Sequence, residues 1–102
     1  MSIYTPIITD KDTGLLLVNM NGVNLQFCSE ELRDDYDVVL EAVSNYGLSL
    51  RVASQRLQDN EEIVFTAFKN DKRAKTFASD RINNNWELLS KKEKFNKVRK
   101  RI

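Results

Sequence analysis

A 25-residue period runs through this chain without a gap. Leu15, Leu40 and Phe65 stand 25 residues apart. The same step links Val18, Val43 and Phe68, then Leu32, Leu57 and Ile82, then Val38, Ile63 and Leu88. Phe27-Cys28-Ser29 falls on Val52-Ala53-Ser54 and on Phe77-Ala78-Ser79. A fixed period of roughly 20–50 residues marks an architecture of stacked repeats, because one unit is too small to bury its own apolar face.

The helix starts recur at the same step. Thr9 with Asp12, Asp34 with Asp37, Asp59 with Glu62, and Asn84 with Glu87 each place a capping oxygen three residues before an acid. This capping-box spacing predicts four helices, beginning near Asp10, Asp35, Asn60 and Asn85. In the central unit Val38, Val39, Leu40, Ala42 and Val43 form one broad apolar stripe. Gly22 and Gly47 then fit the left-handed position that ends a helix. Lys72 takes that column in the third unit, so Asn70 or Asp71 is expected to adopt the left-handed turn there. A second, shorter helix follows in each unit. Leu50, Ala53 and Leu57 lie on one face of a period of about 3.6 residues, as do Leu25, Cys28 and Leu32.

The pattern Asp34-Asp35, Asp37-Val38-Val39-Leu40, Ala42-Val43, Gly47, Leu50, Ala53-Ser54 and Leu57 resembles the family catalogued as domain of unknown function 4116. The third unit continues it with Glu61, Glu62, Ile63, Val64, Phe65 and Ala67, and departs from it at Lys72, Arg73 and Lys75. The resemblance covers roughly residues 10–88. It implies an all-helical array, occurring in protist, bacterial and viral proteins, with no assigned activity and no catalytic residues to carry over.

The expected fold is therefore all-α. It is a single domain over residues 1–102, a short solenoid-like array of helix-turn-helix repeats. An N-terminal arm (1–9) precedes repeats at 10–34, 35–59 and 60–84, and a basic capping helix at 85–102 ends it. Pro6 argues against helix in the arm. With Ile3, Tyr4, Ile7 and Ile8, the arm either covers the open end of the first unit or exchanges with a second copy to make a dimer.

The chemistry is sparse. The chain has no histidine, which removes the commonest general base and metal ligand. Its single cysteine, Cys28, allows no internal disulfide and no ordinary Cys/His zinc site. Cys28 shares its column with Ala53 and Ala78, which favours a small buried residue over a reactive thiol. No Gly-rich phosphate loop, nucleophile elbow or Ca²⁺-loop spacing is present. No catalytic, cofactor or metal site is expected, and the chain reads as non-enzymatic. No leader or spanning apolar run is apparent, so a cytoplasmic protein without membrane contact is expected.

Charge is distributed unevenly. Residues 1–90 carry 9 basic and 14 acidic side chains, whereas residues 91–102 carry 7 basic and 1 acidic. Lys91, Lys92, Lys94, Lys97, Lys100 and Arg101 form a basic tail, and Lys69, Lys72, Arg73 and Lys75 cluster around the third unit's turn. Arg73 stands in the column of Val23 and Leu48, and Lys75 in that of Leu25 and Leu50. The bland account is that stacking ends here, with lysine stems covering the last unit and cations favouring a helix C-terminus. The functional account is a contact with an acidic protein surface, which makes the chain an interaction module: an adaptor or a stoichiometric inhibitor, one of viral origin included. The alternative is nucleic-acid binding through the same cations, although only Phe95 interleaves with the tail lysines. A third is self-association through the arm or the array ends. Trp86 is expected to plug the core at the start of the last helix.

Placing a charge in the Cys28/Ala53/Ala78 column tests the register. Ala53→Asp is expected to destabilise by several kcal/mol, as an unpaired buried charge does. Urea unfolding measures it, and a midpoint equal to wild type would put these columns out of register.

Overall fold

The apolar columns and the capping residues together dictate where each helix begins and what it covers. A computed structural model describes residues 7–100, with side chains through residue 94. Three long helices carry the main apolar stripes: α1 (Lys11–Met20), α3 (Tyr36–Asn45) and α5 (Glu61–Asn70). Each is followed by a 3-10 segment, at Gly22–Phe27, Gly47–Val52 and Lys72–Phe77. A short α-turn then closes the unit: α2 (Glu30–Arg33), α4 (Gln55–Gln58) and α6 (Asp80–Asn84). The last helix, α7 (Trp86–Lys100), starts where the fourth predicted helix should. The described residues are thus all-helical apart from an isolated parallel bridge between Ile8 and Cys28.

The core follows the columns. Leu25, Leu50, Leu57, Ile63, Ile82, Val18, Val38 and Val43 are fully buried, and Cys28, Ala53 and Ala78 line one buried seam. A fully buried aliphatic side chain contributes about 1.5–3 kcal/mol, so these columns dominate the favourable term. Helix α1 packs on α3 and α3 on α5, each unit covering the stripe of its neighbour.

Three expectations need correction. First, the caps lie one residue later than predicted. Asp10, Asp35 and Asn60 accept the N–H groups of Thr13, Val38 and Ile63, at 2.8, 3.1 and 3.0 Å. Asp34 instead ends α2: its own N–H donates to Glu30 and Glu31 carbonyls, so its carboxylate is free for other partners. Second, no described residue has a positive φ. Helices α1, α3 and α5 end on extended residues, Asn21, Tyr46 and Asp71, with φ near −150°. The glycines answer a close approach instead. A Cβ on Gly22 would lie 2.4 Å from the Ala42 carbonyl oxygen, and one on Gly47 would lie 2.3 Å from that of Ala67.

Third, the second helix is two pieces. Cys28, Ala53 and Ala78 are extended, with ψ near 155°. The break frees the next serine's N–H to reach the preceding unit: Ser54 donates to the Arg33 carbonyl and Ser79 to that of Gln58, both at 2.9 Å. Ser29 donates likewise to Ile8, at 2.8 Å. Ile8 thus occupies the column of Arg33 and Gln58, and the arm's described residues complete the first unit's ladder. Met1–Pro6, with Ile3 and Tyr4, lie outside the described residues. Each serine hydroxyl also caps the turn that follows, accepting from Leu32, Leu57 and Ile82.

Polar groups repeat between units. Asp34 Oδ1 accepts from Ser54 Oγ at 2.6 Å and from Arg56 Nε at 2.8 Å. Asp59 does the same with Ser79 and Arg81, at the same distances. The serine bond first, then the arginine, holds both carboxyls below their ordinary value of 3.8. Asn45 Nδ2 reaches back to the Val18 and Asn19 carbonyls, and Asn70 Nδ2 to that of Ser44. Asn70 also accepts the Gly47 N–H at 2.7 Å. The Tyr36 hydroxyl donates to the Glu62 carboxylate, which pushes the phenol up to about 12.

Two outcomes follow from this packing. Gly47→Ala should cost about 1–3 kcal/mol, since backbone rather than a movable side chain meets the new Cβ. Lys72→Ala in the same column should stay within about 0.5 kcal/mol, because that position is exposed. Chemical denaturation of both compares them, and equal losses would refute the close-contact account. The second concerns acid. Lowered carboxyl values in the folded state give stability that is complete above 3.8 and lost as pH falls through the folded-state values. Replacing both Asp34 and Asp59 with Asn should flatten the acid limb of a plot of melting temperature against pH. An unchanged slope there would remove these bonds from the pH response.

Candidate interaction surface at the α5–α7 junction

Stacking changes character at α7. In the first two interfaces a glycine lets one unit's 3-10 segment touch the next long helix. At the third, Lys72 replaces the glycine, and Lys92 of α7 takes the column of Ala42 and Ala67. Two long cations cannot approach as Gly47 and Ala67 do. Polar residues also enter the apolar columns, with Ser90 in that of Leu40 and Glu93 in that of Val43. Leu89 is still buried, but Leu88 is 69% exposed in the column where Val38 and Ile63 are fully buried. Helix α7 therefore rests on α5 and α6 through few residues.

The separation leaves a cleft of about 280 Å³ lined by Phe65, Phe68, Lys69, Trp86, Ser90, Glu93 and Lys94. Its floor is aromatic. The Trp86 ring lies 4.8 Å from Phe65 and 4.8 Å from Phe68, centroid to centroid, the latter pair edge-on. Trp86 packs against the core but stays half-buried, so the expected plug is also a wall of the cleft.

The predicted basic residues divide by partner. Lys75 holds its ammonium 4.8 Å over the Trp86 ring, a cation–π contact on the side chain expected to cover the last unit. Arg73 folds back on Asp71, at 2.7 Å. Lys69 reaches Glu93 across the cleft at 4.0 Å, and Lys92 reaches Glu61 at 3.7 Å. Lys72, Lys91 and Lys94 are exposed and have no ion pair among the described residues. Lys97 and Lys100 lie on the backbone of α7, their side chains outside the described residues, and Arg101 lies outside them altogether.

Elsewhere the surface offers little chemistry. Burial pushes the Cys28 thiol up, with nearby Arg33 opposing, and its Sγ sits 3.7 Å from the Asn24 carbonyl. Among the described residues no cluster of acidic or cysteine side chains could hold a metal ion, and no helix is long and apolar enough to cross a membrane. Glu41 accepts from Asn19 at 2.6 Å and so joins two units. The Phe65–Phe68–Trp86 cluster was signalled by two aliphatic columns turning to Phe in the same unit, but its junction with Lys75 had no counterpart upstream.

The comparisons with known proteins agree with the repeat pattern. The family described as "Domain of unknown function (DUF4116)" matches the chain twice, over residues 15–58 and 37–83. The two matches overlap and are offset by about one unit. No curated protein and no solved structure matches. With two family matches that together span residues 15–83, the chain belongs to the DUF4116 family.

Proposed function

We propose that the three units form a short solenoid-like array whose basic end binds an acidic protein surface, making the chain a non-enzymatic interaction module. The role proposed is that of an adaptor or a stoichiometric inhibitor. One observation carries the reading. The acidic side chains are largely engaged within the fold, while cations at one end are left over. Asp34 and Asp59 bind Ser and Arg of the next unit, Lys11 bridges to Asp35 and Asp37, and Glu41 and Glu62 accept from neighbouring units. Lys72, Lys91 and Lys94 have no such use among the described residues. The array's length of 51 Å against a 19 Å thickness supports an extended contact.

Charge reversal is the test. Lys91, Lys94, Lys97 and Lys100 are changed to Glu, and Lys92 is spared because it already pairs with Glu61. Stability should move by less than about 0.5 kcal/mol, since the changed lysines make no buried contact among the described residues. Binding to the partner captured from native cells should fall by about tenfold or more at low salt. Unchanged binding would move the contact to the exposed residues of the second unit, Tyr46, Arg51 and Gln55. Nucleic-acid binding would show instead as retention on duplex DNA that falls steeply with salt.

A further inference from the structure

We infer that the α5–α7 cleft is an anchor pocket for an acidic peptide segment, receiving one aliphatic or aromatic side chain while the flanking lysines hold the segment's carboxylates. This rests on the preceding reading of the basic end and names the class of segment it takes. Volume argues for one side chain: about 280 Å³ is too small for a folded element and ample for a Leu or a Phe. The lining argues for an apolar one, since Phe65, Phe68 and Trp86 form a continuous floor. Tryptophan in a partly open pocket is a preferred anchor site at interfaces.

The rim argues for the acidic flanks. Lys94 is exposed on α7, and Lys69 on α5 makes a long 4.0 Å contact with Glu93, which an incoming carboxylate can replace at shorter range. Lys91 and Lys72 extend the positive field beyond the mouth. Lys75 already covers one face of Trp86, so the ring is fixed in place and presents its remaining surface to the cleft. At the preceding interfaces Gly22 and Gly47 instead let each 3-10 segment press onto the next long helix.

Trp86 is the only tryptophan in the sequence, so its emission reports on this cleft alone. The probes are two synthetic peptides of glutamates and glycines, one with a central Leu and its twin with Ala. The Leu peptide should bind roughly tenfold or more tightly than the twin, and shift Trp86 emission, as burial of one aliphatic side chain predicts. Ser90→Phe, which fills the cleft, should abolish that difference and leave the weaker charge-driven binding. The twins decide the question on the unaltered protein, so a folding defect in S90F leaves the test intact. Equal affinity of the twins would overturn the pocket while the basic surface stands. Binding by neither peptide at low salt would remove both readings. Stronger quenching by a short oligothymidine than by the Leu peptide would overturn the pocket in favour of a stacked nucleobase.

Discussion

The structure depends on a backbone contact that only glycine permits. At Gly22 and Gly47 the 3-10 segment of one unit presses against a carbonyl of the next long helix, at distances that exclude a Cβ. That approach sets the spacing between units. It brings Val38 and Val43 of α3, and Ile63 of α5, under the preceding unit's residues and removes them from water. It also brings Asn70 within reach of the Gly47 N–H and Asn45 within reach of α1 carbonyls. The apolar columns supply the driving force, but the glycines decide how completely it is realised.

The polar ladder follows from the same spacing. A serine can give its N–H to the previous unit only if the chain leaves the helix just before it, which is why the second element breaks at Cys28, Ala53 and Ala78. The broken helix loses intrahelical bonds there, and the Ser54 and Ser79 N–H groups find carbonyl partners in the preceding unit instead. The extended break also points Ser54 and Ser79 hydroxyls at Asp34 and Asp59, and an arginine two residues on completes each bridge. These bridges are exposed and individually weak. Their repetition at one interval fixes register more than it adds stability.

Much of this was legible in the sequence, and the failures share a cause. The long helices and the buried columns were readable, because burial follows periodicity directly. The caps were misplaced by one residue because Asp34-Asp35 and Asp59-Asn60 offer two competent caps side by side. Only the tertiary partner, Ser54 or Ser79, decides which of each pair stays outside the helix. The glycines were misread because a helix C-terminus and a close interface both demand glycine, and sequence spacing cannot tell them apart. Leu50, Ala53 and Leu57 fit one helix and also a 3-10 segment followed by a turn, since all three are buried either way. The Lys75–Trp86 contact could not be read from the period at all, because it forms where the period ends.

The end of stacking and the candidate surface are one event. Once Lys72 stands where a glycine should, α7 cannot close on the third unit as α5 closes on the second. Its apolar columns then lose their partners, and two of them carry Ser90 and Glu93, which tolerate water. What an intact interface would have buried is left as an aromatic floor with a cationic rim. The lysines that prevent closure are also part of the field around the opening. On the proposed reading, the cleft left there is scaled to a single side chain, and the charge outside it selects the segment that delivers that side chain.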